Sequence, residues 1–324
     1  MFGRLILMGA IALGALPATA AELLFYSGIP RNLTEPLLKG FQARHPDSRV
    51  TMFQSGGEAL LDKIELEIKG KGKPDADVVW IQDETTMVRY ASAGLLEKYT
   101  PRDAGMIPKL YHDPRGTYYG TFIAPLVLLH NSRLVTGNSR PASWLDLADP
   151  RFAGLVTLAD PGVSGTGAAV VGAMVQNFGW SFWERVAKNR PLLASGHNAM
   201  VSALIAGERT VAPMPSHLIV PAMEKSQPVA FVIPKEGALS VGCYTAIVKG
   251  TKALADARLL ADFFASREAA DIMHKNNMYH SRTDSLPPKG WPKITEIKLL
   301  PMDWEKHGKE KEADKQKFAQ LMLR

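Results

Sequence analysis

The chain has 324 residues, 46% of them hydrophobic and 22% charged, which excludes a disordered or low-complexity protein and gives length for roughly two domains. Its 38 basic and 32 acidic side chains leave a formal charge of +6, too mild for a dedicated polyanion binder but enough to help attract a small anion. One cysteine, Cys243, excludes an internal disulfide, so stability must come from a large core.

The first twenty residues read as a signal peptide. Arg4 supplies the positive end, Leu5 to Leu16 the short apolar core, and Ala18-Thr19-Ala20 a small-x-small cleavage site. The apolar run is too short to span a bilayer, and no cysteine stands where a lipid anchor would attach. The expectation is a periplasmic chain beginning at Ala21 or Glu22, which also sets nucleic acid aside as a partner.

A strand is expected over Leu23 to Tyr26, then the turn Ser27-Gly28-Ile29-Pro30 and a helix from Leu33 to Arg44. Arg49 to Gln54 reads as the second strand, Ser55-Gly56-Gly57 as its turn, and Glu58 to Lys69 as a helix with Leu60, Leu61, Ile64 and Ile68 on one face. Ala76 to Ile81 is mostly apolar, as in a buried parallel strand, and runs into Gln82-Asp83 and another helix that Gly94 ends. This βαβαβ order makes a doubly wound α/β lobe, whose ligand side is the carboxyl ends of its strands. Ser27, Gly28, Ser55, Gly56, Gln82 and Asp83 stand at those ends.

The second half repeats the architecture with a different sequence. A long strand is expected over Thr121 to His130, another over Leu155 to Leu158, and helices over Ser181 to Asn189 and Asn198 to Ala206. Further strands fall at Val211 to Met214, Val229 to Pro234 and Tyr244 to Lys249, with a helix over Ala253 to Ala265. The stretch Lys306 to Lys317, with Glu310, Glu312 and Asp314 interleaved, has the pattern of a solvated helix face. The fold class is therefore α/β: two doubly wound lobes joined by a two-crossing hinge near residues 120 and 243. Lobe 1 is assigned 21–120 plus 243–290, and lobe 2 121–242 plus 291–324.

The most telling segment is Asp160-Pro161-Gly162-Val163-Ser164-Gly165-Thr166-Gly167, between a strand and the apolar run Ala168 to Val175. Ser164 and Thr166 suit an N-cap, and the glycines let a ligand reach the backbone. Free N–H groups and the positive end of the helix dipole then offer an anion site. An enzyme fits less well. The nucleophile elbow needs Gly where Thr166 stands, a dinucleotide fingerprint needs Gly at Val170, and no Walker sequence occurs. The histidines show no metal-ligand spacing with Cys or Glu.

Motifs in order along the mature chain carry a family resemblance. They are Phe25-Tyr26-Ser27-Gly28, Asp75-Ala76-Asp77-Val78-Val79-Trp80, Ala93-Gly94-Leu95-Leu96 and Pro141-Ala142-Ser143-Trp144-Leu145-Asp146-Leu147. Then follow Asp149-Pro150-Arg151-Phe152-Ala153-Gly154, Asp160-Pro161 with Ser164-Gly165-Thr166, Pro234-Lys235-Glu236-Gly237 and Ala261 to Ser266. The chain resembles the extracellular solute-binding proteins of ABC importers with the type II fold, in the branch that holds ferric-ion, phosphonate, sugar-phosphate and polyamine binders. The resemblance implies a non-enzymatic monomer, without cofactor, that delivers a small solute to an inner-membrane permease.

Within that branch the ferric relatives use a His after the first strand, a Glu after the third and an adjacent Tyr pair in the second lobe. Here Gly28 to Arg31, Gln82 and Met214 to Leu218 stand in those places, a poor donor set for a hard cation. Polyamine relatives need carboxylates and aromatic walls, for which Asp83, Glu84, Glu236, Trp80 and Tyr244 are available. The Ser-Gly-Thr-Gly turn favours a phosphorylated or phosphonate solute instead, cradled by Ser164 and the Gly165, Thr166 and Gly167 amides. Ser27 and Ser55-Gly56 would add donors from the other lobe. Similarity to sugar-phosphate binders places His217 and Glu236 at the far end of the solute. Ferric iron is the first alternative, a polyamine the second and a secreted hydrolase the third.

Overall fold

The computed structural model describes residues 22–323. The signal-peptide reading of residues 1–20 lies outside them. Among the described residues no helix is long and apolar enough to cross a membrane.

The first lobe is built around β1 (Leu23–Ser27), β2 (Val50–Gln54) and β3 (Val78–Ile81), all parallel, with β1 in the middle. Helices α1 (Arg31–Arg44), α2 (Gly57–Lys71) and α3 (Glu84–Ser92) follow them in turn. The continuously apolar β3 is buried along its whole length, as its lack of alternation requires. On one side of this sheet Phe25, Phe41, Trp80, Phe122 and Phe264 form the core.

Two long strands tie the halves together. The fourteen residues of β4 (Tyr118–Asn131) are buried throughout. Over Tyr118 to Leu126 they pair antiparallel with β9 (Leu239–Ile247), with a register irregularity between Gly120 and Phe122. The far end of β9 pairs with β3. Beyond Leu126, β4 pairs with β7 (Val211–Pro215) on one side and β8 (Val229–Val232) on the other. A single eight-stranded sheet therefore runs through both halves, with β10 (Tyr279–His280) on its β4 edge. The buried crossing is polar inside: the Trp80 indole donates to Thr121, whose hydroxyl pairs with Thr245. Trp80 is fully buried there and serves as core, not as a wall for a cation.

The second half also contains the short parallel pair β5 (Thr157–Ala159) and β6 (Leu192–Ala194). Helix α4 (Gly165–Phe178) follows β5, α5 (Trp180–Lys188) precedes β6, and α6 (His197–Ala206) follows it. Trp144, Phe182, Trp183 and Phe318 are the large side chains of this core.

Two helices depart from the expected elements. Helix α7 (Ser216–Glu224) carries Pro221 and the β-branched pair Ile219-Val220 inside it, both poor helix signals, and it holds because Ile219, Val220 and Ala222 are buried. After α8 (Leu254–Ala265), Ser266 caps α9 (Arg267–Lys275) by accepting from the Ala269 N–H.

The last helix, α10 (Trp304–Met322), corrects the reading of Lys306 to Lys317 as a solvated face. His307, Asp314 and Phe318 are buried. Trp304, His307, Lys311, Asp314 and Phe318 recur at three- and four-residue spacing, so one stripe faces inward. Phe318 stacks edge-on against Trp183 in the second half, while the backbone at Gly308 lies against Thr85 of α3 in the first.

Candidate functional site

A cavity of about 240 Å³ opens between the halves. From the first lobe, Gly28 after β1, Gly57 and Glu58 of α2, and Ile81, Gln82 and Asp83 after β3 line it. These are the carboxyl ends of the parallel strands, where a doubly wound sheet places its ligands. From the second half come Val163 to Thr166 after β5 and Ser195, Gly196 and His197 after β6. Trp304, His307 and Lys311 of α10 close one side.

The Ser164 turn folds as expected from its sequence. The Ser164 hydroxyl accepts from the Gly167 N–H at 3.1 Å and caps α4. That leaves the Gly165 and Thr166 N–H groups without a partner among the described residues. Gly167 is thus a packing residue: its amide is taken, and its Cα lies against the Ala159 carbonyl of β5. The cradle is one amide smaller than the sequence suggested.

A second helix start opens on the same cavity. Helix α6 begins at His197 after Ser195-Gly196, with no side-chain cap, and its first-turn amides have no partner among the described residues. On the opposite wall α2 begins at Gly57 after an uncapped Gly56, again with first-turn amides unpaired. Ser55 precedes that start; its own N–H donates to the Ser27 carbonyl and holds the two turns together. Three helix starts therefore turn their positive ends to one small space.

The charged groups around it are already engaged. Asp83 caps α3, accepting from the Thr85 and Thr86 amides and from both hydroxyls. Burial alone would raise its carboxyl, but Lys311 and those hydrogen bonds outweigh it and hold the pKa below the usual range. Lys311 lies 3.4 Å from both Asp83 and Glu58. Burial shifts His197 and His307 down to about 4, so both rings are neutral near pH 7. The Gln82 amide nitrogen is buried without a partner, as is Nδ1 of His307.

Ser55 and Gly56 stop short of the cavity wall, which Gly57 reaches instead, and four other expected residues sit elsewhere. Ser27 is fully buried, and its hydroxyl accepts from the Ile29 N–H and pairs with Thr34. It shapes the β1 turn and does not reach the cavity. Glu236 accepts from the Ser143 hydroxyl at 2.5 Å and the Trp144 N–H at 3.2 Å, bracing a loop. Tyr244 is buried, and its hydroxyl donates to Glu84 at 2.5 Å. His217 at the start of α7 lies off the cavity wall, edge-on to Phe122 and next to His197. Its Nδ1 and the Ser216 hydroxyl are buried without partners, and burial lowers the ring to about 3.

Glu58, Ser195, Gly196, His197, Trp304, His307 and Lys311 line the cavity without having been singled out. Two signals were present. Ser195-Gly196 repeats the strand, small-residue turn and helix order of Ser164, and the 304, 307, 311 spacing marks one face of α10.

A family model for the bacterial extracellular solute-binding proteins matches residues 73–306. An ABC transporter periplasmic-binding protein of Sinorhizobium fredii is 25% identical over 278 residues, covering 81% of this chain and 74% of its own. A Salmonella typhimurium protein named for 2-aminoethylphosphonate binding in the periplasm is 24% identical over 230 residues, 68% of this chain and 65% of its own. Among solved structures, the periplasmic binding protein AfuA of Actinobacillus pleuropneumoniae, with fructose-6-phosphate bound, aligns with a TM-score of 0.80 at 24% identity. That alignment covers 93% of this chain and 98% of AfuA. Iron-bound HitA of Pseudomonas aeruginosa aligns at 0.81 and 20% identity, covering 92% and 99%. With an interlobe cleft, a sheet shared by two crossing strands and a family match over most of its length, the chain belongs to the bacterial extracellular solute-binding proteins, the solute-binding components of ABC transporters.

Proposed function

We propose that the protein captures a small phosphorylated or phosphonate solute in the periplasm and hands it to the permease of an ABC importer. One observation carries this reading: the unpaired first-turn amides of α4 and α6 open on the same cavity. A tetrahedral oxyanion accepts hydrogen bonds in several directions and gains from each helix dipole. The partnerless Gln82 amide adds a donor from the opposite lobe. The cavity is below the roughly 300 Å³ at which drug-sized sites begin, which suits a solute of a few carbons. The names of the Salmonella relative and of the fructose-6-phosphate complex point the same way.

Iron is the second reading, favoured by the likeness to HitA and to a Serratia marcescens Fe(3+)-binding relative at 25% identity. The donors weigh against it. No tyrosine lines the cavity, Asp83 is committed to α3 and Lys311, and among the described residues no three His, Cys, Asp or Glu gather closely enough for a metal. Thermal shifts on protein unfolded, washed and refolded will separate the readings. A ligand that binds only the folded form raises the midpoint by mass action. The midpoint should rise with 2-aminoethylphosphonate, a sugar phosphate or inorganic phosphate, and stay flat with ferric citrate and spermidine. A rise with iron or spermidine alone overturns the proposal.

A further inference from the structure

We infer that Lys311 of the C-terminal helix is the specificity-determining cation of the solute site, held between Asp83 and Glu58 until a solute anion draws it over. The inference rests on the anion reading above and adds a residue that lies beyond the matched family segment, which ends at 306.

Three features of the geometry support it. First, Lys311 is placed for the cavity. Trp304, His307 and Lys311 share the stripe of α10 that forms one cavity wall, and the Lys311 side chain is only 14% exposed. Gly172 of α4 gives His307 its seat, since a Cβ there would come within 2.3 Å of the ring. This close fit fixes the turn of α10 that carries Lys311.

Second, the ammonium is loosely held. A charge-assisted N–H···O bond normally measures about 2.7–2.9 Å. Both contacts here are 3.4 Å, so Lys311 hangs between two carboxylates without closing on either. Burial disfavours its charge, but Asp83 and Glu58 more than offset that and keep it protonated.

Third, each carboxylate has support besides Lys311. Asp83 already accepts four hydrogen bonds from Thr85 and Thr86 at the start of α3. Glu58 stands in the first turn of α2, where the helix dipole supports a negative charge, and its side chain is 29% exposed. Moving the ammonium toward an anion at the α4 turn therefore weakens the charge support of Asp83 but leaves it its four hydrogen bonds. Glu58 is itself the nearest side chain to Gly165, with its Oε1 at 3.1 Å from where a Cβ would stand, so that movement is short. The remaining donors of the cavity wall are neutral amides, hydroxyls, an indole and neutral histidines, which leaves Lys311 as the charge that distinguishes a dianion from a monoanion.

The test compares wild type, Lys311→Met and Lys311→Arg, each refolded free of ligand, by calorimetry with 2-aminoethylphosphonate, inorganic phosphate and the monoanionic sulfonate analogue of the first. Lys311→Met should keep its fold by circular dichroism and lose about tenfold or more in phosphorus-anion affinity, the loss expected for a hydrogen bond to a charged group. Its preference for phosphonate over sulfonate should collapse, and Lys311→Arg should restore much of both. Wild type and Lys311→Met binding phosphonate equally well, or with the same phosphonate-to-sulfonate ratio, overturns the role of Lys311 and leaves the anion site standing. Wild type binding none of the phosphorus compounds overturns both.

Discussion

Gly165 and Gly167, two residues apart at the start of α4, should fail in opposite ways when replaced by alanine. A Cβ on Gly167 would stand 2.7 Å from the Ala159 carbonyl oxygen, 3.2 Å from its carbon and 3.3 Å from the Ala159 Cβ. The obstacle is mostly backbone of β5, so α4 itself must retreat, by at least 0.3 Å (3.0 − 2.7) to reach the shortest distance that real Cβ atoms tolerate. Overpacking of this kind costs about 1–3 kcal/mol. The helix gains about 0.5–1 kcal/mol from replacing glycine, so a net loss of roughly 0–2.5 kcal/mol, centred near 1, remains. In a chain of this size that lowers Tm by a few degrees, at about 2–4 °C per kcal/mol. A Cβ on Gly165 would meet only the flexible end of Glu58, at 3.1 Å across the cleft. Gly165→Ala should therefore be as stable as wild type or slightly more so. Its methyl enters the space beside the free amides, and its affinity for the phosphorus anion should fall roughly tenfold, as one misplaced methyl costs about 1–3 kcal/mol in a fitted site. Differential scanning calorimetry and titration calorimetry on the two variants check both halves. Gly167→Ala as stable as wild type, or Gly165→Ala binding with unchanged affinity, would refute the assignment of packing to one glycine and cavity to the other.

Three further outcomes follow from the contacts. Glu236→Ala removes the acceptor of the Ser143 hydroxyl and the Trp144 N–H. It should cost about 1–2 kcal/mol in urea unfolding and leave solute affinity unchanged; an affinity loss with full stability would return Glu236 to the site. Tyr244→Phe deprives half-buried Glu84 of its donor. Burial already raises that carboxyl, and a raised folded pKa means stability is lost as pH rises through it. The penalty, about 1–3 kcal/mol, should therefore be largest at high pH and fade as the carboxyl is protonated toward low pH; a pH-independent loss would contradict the role of Glu84. His280 is shifted by burial down to about 4. Its Nε2 faces the Phe264 carbonyl, and its Nδ1 accepts from the Arg282 N–H, which defines a neutral ring. The unfolded chain takes up this proton near pH 6.5, so the contribution is complete above 6.5 and is lost as pH falls toward 4. NMR titration should find the ring neutral at pH 5, whereas protonation near 6.5 would contradict the buried geometry.

The strands were legible where burial writes itself plainly into sequence. The unbroken apolar run at Val78 to Ile81 and the long, mostly apolar β4 announced buried strands, whereas β9 was legible only from Tyr244 onward; the small-residue turns announced the helix starts after their strands. Helix α7 was illegible because Pro221 and the β-branched residues beside it argue against a helix that only tertiary packing sustains. Gln82, Asp83 and the Ser164 turn do line the cavity, and they were legible because strand ends and caps have local signatures. Glu236 and Tyr244 were misplaced for the converse reason: their partners, Ser143 and Glu84, are 93 and 160 residues away, so nothing local shows that they are already satisfied. Lys311 escaped because its charged neighbours mimic a solvent-facing helix, and only the seven-residue step from Trp304 discloses the inward stripe.

The central claim, that the cleft holds a phosphorus oxyanion against the α4 and α6 helix starts, is tested most directly by phosphorus-31 NMR. A mixture of inorganic phosphate, 2-aminoethylphosphonate and a sugar phosphate gives separate resonances in one spectrum. Added in stoichiometric amount, ligand-free protein should shift or broaden at least one of them, and Gly165→Ala should return that signal toward its free position. Resonances that stay sharp and unshifted with folded wild-type protein would contradict the account.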